Sequence, residues 1–194
     1  MIPAAAADFA TSAGESSPSE TVEWDCRSIM ELAIVAFLGD NAGMRISAKA
    51  DYAVRAVAEL AASNGEPVKG EHLAEAQDIP LQFLEHILLE LKHSGIVRAR
   101  RGARGGYWLA RDPKEITVAN VIRAVEGPLA NIQDSAPEQT SYSGSAEHLK
   151  EVWIAVRANL RRVLESVTLA DLTAGKLPDP IPKLIKDPDA WKTR

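Results

Sequence analysis

Five arginines stand between Gly95 and Arg111, at positions 98, 100, 101, 104 and 111, and no acid interrupts them. A guanidinium keeps its charge at any physiological pH and bonds phosphate oxygens in a planar fork. Such density on one short stretch is the electrostatic footprint of a nucleic-acid binder. Gly102, Gly105 and Gly106 are interleaved with the arginines. Glycine there allows a tight turn and close approach of the backbone to a groove. Upstream, Gln82, Glu85 and His86 follow i, i+3, i+4 spacing, which puts them on one helical face. Glutamine pairs with adenine edges, and glutamate accepts from the cytosine amino group. A glutamate near phosphates also repels them, so it makes sense only as a specificity device. Other chemistries are poorly supplied. His72, His86 and His93 contain no pair at helical metal-site spacing, and no metal is expected. Cys26 is the sole cysteine, which excludes a disulfide framework and a cluster held by several thiolates of one chain. No nucleophile–base pair or phosphate loop is recognisable, so neither an enzyme nor a cofactor is expected.

These side chains need elements to hold them. Ser47 can cap a helix running to about Ser63, with the apolar stripe Ala53, Ala56, Val57, Leu60 and a stop at Asn64-Gly65. A second helix covers roughly Glu71 to Gln77, and Asp78-Ile79-Pro80 makes a corner. A third runs from Leu81 to His93, its stripe Phe83, Leu84, Ile87, Leu88, Leu91 at helical spacing. Ile96 to Arg101 alternates apolar and charged residues, which is strand periodicity, and Tyr107 to Ala110 return as its partner. Three short helices followed by a basic hairpin is the order of a winged helix-turn-helix, whose third helix enters the major groove. Thr117 caps the next helix, Ile116 and Val121 form its hydrophobic staple, and Gly127-Pro128 stops it. From Glu147 to Val167, the residues Leu149, Trp153, Val156, Leu160, Val163 and Val167 trace a heptad seam. Thr168-x-x-Asp171 caps a last short helix closed by Gly175.

The expected fold is therefore mainly α with a small β-hairpin: a winged helix-turn-helix over 44–128, a polar loop over 129–146, a dimerisation helix and short cap helix over 147–175, and an extended proline-rich tail over 176–194. Residues 1–43 read as a disordered or dispensable extension, with one short helix over 22–39 and Met44 as the start of the domain. That segment carries a net charge of −6 and accounts for the −5 of the whole 194-residue chain. The apolar run Ala33–Gly39 is far too short to span a membrane. With no cluster of positive charge at the start, a cytoplasmic protein is expected.

Several stretches resemble the Rrf2-type bacterial transcription regulators. They are Met44-Arg45-Ile46-Ser47-Ala48-Lys49-Ala50-Asp51-Tyr52-Ala53, the whole run Gly95 to Arg111 with its Arg-Gly-x-x-Gly-Gly-Tyr wing, Glu115 to Ala119 with Val125-Glu-Gly-Pro128, and Thr168 to Leu172. The resemblance covers residues 44 to about 175 and implies a dimer that binds a double-stranded operator, most simply as a repressor. By position it implies that Gln82, Phe83, Glu85 and His86 are recognition-helix residues and that Arg101 is a minor-groove arginine. Arg98, Arg100 and Arg104 then join it on phosphates and groove, with Ser47 and Lys49 on the backbone. Many members hold an iron–sulfur cluster through three cysteines in the loop before the long helix. Here residues 130–148 contain none, and Asp51 alone, at the place of a carboxylate ligand, cannot hold one. Lys69 and Pro80 replace frequent capping serines, and Asp78 replaces a glycine. The resemblance leaves a second reading: a regulatory interaction module acting through a partner enzyme such as cysteine synthase.

Overall fold

The computed structural model describes residues 46–132 and 135–192. The expectations placed on residues 1–45, including the helix over 22–39, the start at Met44 and the role of Cys26, fall outside the described residues.

Helix α1 (Ala48–Ala62) begins where Ser47 Oγ accepts the Ala50 N–H at 3.0 Å, and it buries Ala50, Ala53, Ala56, Val57, Leu60 and Ala61. Helix α2 (Gly70–Gln77) ends at Asp78, whose φ of 51° and ψ of 52° are left-handed. Aspartate tolerates that region better than most residues, so the missing glycine costs little. Lys69 and Pro80, which stand where capping serines are frequent, make no side-chain cap bond. Arg55 of α1 holds the other end of α2: its Nε donates to Gln77 Oε1 at 3.1 Å and its Nη2 to the Gln77 carbonyl, occupying a free acceptor there. Helix α3 (Leu81–His93) buries Leu84, Ile87, Leu88 and Leu91 against α1 and α2.

The hairpin consists of β1 (Val97–Arg100) and β2 (Gly106–Leu109), antiparallel, with Val97 opposite Leu109 and Arg100 opposite Gly106. A third, one-residue strand joins it. Val68 N–H donates to the Tyr107 carbonyl at 2.9 Å, and Tyr107 N–H donates back to Val68 at 2.8 Å. Helix α4 (Val118–Glu126) starts with a reciprocal capping box between Thr117 and Asn120. The loop that follows is pinned rather than merely polar, for Pro137 is buried and Glu138 pairs with Arg157 at 2.5 Å. That guanidinium holds the Glu138 carboxyl below its ordinary range.

Helix α5 (Leu149–Leu164) has no residue buried within the chain. Its seam residues Leu149, Trp153, Val156, Leu160 and Val163 are half-buried. Val167 departs from the expected seam. It lies beyond the helix, is 5% exposed, and its carbonyl accepts from Val118 N–H at 2.9 Å. The short ladder linking Thr117 and Thr168 turns it into the core of its own chain, so it is not available to a partner. Helix α6 (Leu169–Ala174) has its own box, in which Thr168 and Asp171 cap each other, and Gly175 closes it at φ 65°. Those hydrogen bonds hold the Asp171 carboxyl below its ordinary range.

The tail is not extended throughout as expected. It forms α7 (Ile181–Leu184) and a 3-10 turn at Pro188–Trp191. Proline is disfavoured inside helices but favoured in their first turn, and both prolines sit there. Asp179–Lys183 at 2.6 Å and Trp191 Nε1 to the Ile185 carbonyl at 2.8 Å tie the turns together.

Candidate nucleic-acid interface

The outward face of α3 carries Gln82, Glu85 and His86, all exposed, as the i, i+3, i+4 spacing requires. His86 Nδ1 lies 2.9 Å from the Gln82 carbonyl, which orients the ring along the helix and leaves Nε2 outward. Phe83, the fourth recognition-helix residue that the resemblance implies, also packs inward. Its ring is half-buried and stands edge-on to Tyr52, centroids 5.7 Å apart, so it braces α3 against α1.

The wing is a short, glycine-dependent tip. Gly105 N–H closes the turn onto the Gly102 carbonyl at 2.8 Å, and Arg100 Nη2 bonds the Arg104 carbonyl at 2.9 Å. Gly106 has φ 151°, and a Cβ there would lie 2.7 Å from the Val68 carbonyl oxygen. No side chain fits at that position without breaking the third strand.

Arg98, Arg100, Arg101 and Arg104 are exposed, and none pairs with a carboxylate of a described residue. Three arginines elsewhere behave differently. Arg55, Arg123 and Arg157 are half-buried and paired with Asp51, Glu165 and Glu138. The wing thus holds positive charge without a counter-charge among the described side chains, which leaves it free to attract an anion. Lys49 and Ser47 are more committed than expected. Lys49 pairs with Glu90 of α3 at 2.8 Å, while Ser47 caps α1 and bonds Glu126.

Tyr107 is a positioning residue that spacing alone did not single out. Its ring packs where Gly70 leaves room, 3.6 Å from the position of a Cβ there. Burial pushes its phenol up, and the nearby carboxylates of Glu85 and Glu71 push further the same way. Glu85 therefore sits where α2, α3 and the wing meet. A one-residue strand pairing has no periodic signature, so Val68 could not have been found from the sequence; the Gly-Gly-Tyr run was the only hint.

Comparison with known proteins agrees with this geometry. The family model described as Rrf2, iron-dependent transcriptional regulator, matches residues 46–175. Rv1287 of Mycobacterium tuberculosis (strain ATCC 25618 / H37Rv), assigned by name to the HTH-type transcriptional regulators, is 49% identical over 145 residues, covering 74% of this chain and 90% of its own. The regulator CymR of Bacillus subtilis is 33% identical over 132 residues, covering 68% of this chain and 91% of its own. The solved structure of CymR, titled the global cysteine regulator of B. subtilis, superposes with a TM-score of 0.58 at 31% identity, over 69% of this chain and 98% of that one. T. potens IscR gives 0.54 at 31%, over 80% and 96%. The alternative of a module acting through a partner enzyme is not favoured by these relatives, which are regulators by name.

The iron in the family's description does not fit the donors present. The loop over 130–148 has no cysteine, and among the described residues no three His, Cys, Asp or Glu side chains come together to hold a metal. The carboxylates nearest the expected places are in use, Asp51 by Arg55 at 3.2 Å and Glu138 by Arg157. With helix-turn-helix, wing, long helix and sequence all in register, this chain belongs to the Rrf2 family of DNA-binding transcriptional regulators.

Proposed function

We propose that the protein acts as a homodimeric repressor on a pseudo-palindromic operator, without an iron–sulfur cluster. The observation that carries this reading is the set of uncompensated wing arginines beside the exposed face of α3. Gln82, Glu85 and His86 read base edges in the major groove. Arg101 enters the minor groove, while Arg98, Arg100 and Arg104 hold phosphates. Phe83 positions the helix that does the reading. Ser47 and Lys49 lie at the N-terminus of α1, where Lys49 can exchange Glu90 for a phosphate.

The dimer is supported by α5. An amphipathic helix of 16 residues with no fully buried residue, its seam only half-buried and Val152 51% exposed, calls for a partner surface. Leu149, Trp153, Val156, Leu160 and Val163 supply it. Twofold pairing sets two recognition helices roughly 34 Å apart. A dimer on such a site blocks the promoter it overlaps, which is the simplest route to repression.

Selection from random duplex DNA with the full chain tests the reading. Two inverted half-sites with centres about one helical turn apart are expected. The same selection with Glu85→Ala should return a motif relaxed at one base pair per half-site. Recovery of single, unpaired sites, or no enrichment at all, would refute the proposal.

A further inference from the structure

A second cationic surface lies on the outer face of the wing. Residues opposite one another in an antiparallel pair share a face, and successive pairs alternate. Val97 is buried and Tyr107 and Leu109 pack against the core, so the Arg98–Trp108 and Arg100–Gly106 pairs face outward. At the base of this face, Arg98 and Trp108 meet Lys92 from the last turn of α3 and Arg111 just past β2. Together they line a groove of about 480 Å³ that is open to solvent.

No carboxylate lines that groove. Among the described residues, Lys92, Arg98 and Arg111 have no ion-pair partner, and the Trp108 Nε1–H has no acceptor. Arg100 lies about 7 Å further along the same face, and Arg101 and Arg104 follow at the turn. Positive charge thus runs unbroken from the tip to the base. A compact anion would occupy only one end of such a line, whereas a repeating polyanion matches its whole length.

We propose that this groove takes the phosphodiester backbone of duplex DNA flanking the half-site. Lys92 and Arg111 bind phosphates outside the segment read by α3, and the Trp108 indole N–H donates to a phosphate oxygen. The inference rests on the DNA-binding reading above and extends the footprint beyond it.

The test compares two duplexes carrying the selected operator, one ending at the outermost recognised base pair and one extended by about one helical turn on each side. The full-length protein should bind the extended duplex more tightly. Its salt dependence should also be steeper, by roughly 0.9 in log–log slope per added phosphate contact. The Lys92→Ala/Arg111→Ala variant should lose that gain while binding the short duplex as before. Trp108→Phe, which keeps a ring but removes the donor, should lose part of it. Equal affinity and slope on both duplexes, as an acidic protein occupant of the groove would give, overturns the inference and leaves the operator reading intact. A variant that keeps the full gain overturns it as well. Failure to bind the short duplex in any form refutes the operator reading, and this inference falls with it.

Discussion

Gly106 shows how a single missing side chain can decide a functional element. Its φ of 151° and the 2.7 Å from a Cβ position to the Val68 oxygen leave room for a hydrogen only. Gly106→Ala should destabilise the protein by about 1–3 kcal/mol through strain and loss of the third strand. Denaturant unfolding would measure this, and operator affinity should fall further because the wing leaves its position. A variant with unchanged midpoint and affinity would show that the tip has slack. At this scale much of the site was legible. The spacing of Gln82, Glu85 and His86 put them on an exposed face, and Asp78, in place of a glycine, takes left-handed geometry. Phe83 belongs both to the apolar stripe and to the recognition helix, and its packing on Tyr52 shows the first of these roles.

The elements were legible wherever their ends carry local chemistry. Ser47, Thr117 and Thr168 mark three helix starts by a hydroxyl that captures a backbone N–H, and each does so. Thr117→Ala should cost about 1 kcal/mol, the usual value of an N-cap, and it should also loosen the ladder that carries Val118 and Val167. Thermal unfolding would show a melting point lower by about 2–4 °C; no shift would mean that the ladder alone holds the junction. The box at Thr168 adds a pH signature of known sign. Because folding lowers the Asp171 pKa, its contribution is complete above the ordinary carboxylate range and fades as pH falls through and below it. Val167 and the tail were misread for two reasons. Periodicity records which residues are apolar, not which body they are buried against, and proline counts do not record which turn of a helix the proline occupies.

At the scale of the whole molecule, electrostatics is local while the net charge points the other way. The chain carries −5 overall, yet four exposed arginines crowd one hairpin. If Arg98, Arg100 and Arg104 each contact one phosphate in both halves of a dimer, log K against log salt should fall with a slope of roughly −5. Arg104→Ala should flatten it by about 2. Titration of the complex with salt would measure both, and a nearly flat line would contradict the arginine assignment. The Val68–Tyr107 pairing has a further consequence for how the complex forms. It stitches the segment entering the helix-turn-helix to the hairpin, so α3 and the wing keep a preset angle in the free protein. Association then spends little entropy on ordering them, and mismatched operators must bend to the protein, because the protein has no slack with which to follow them.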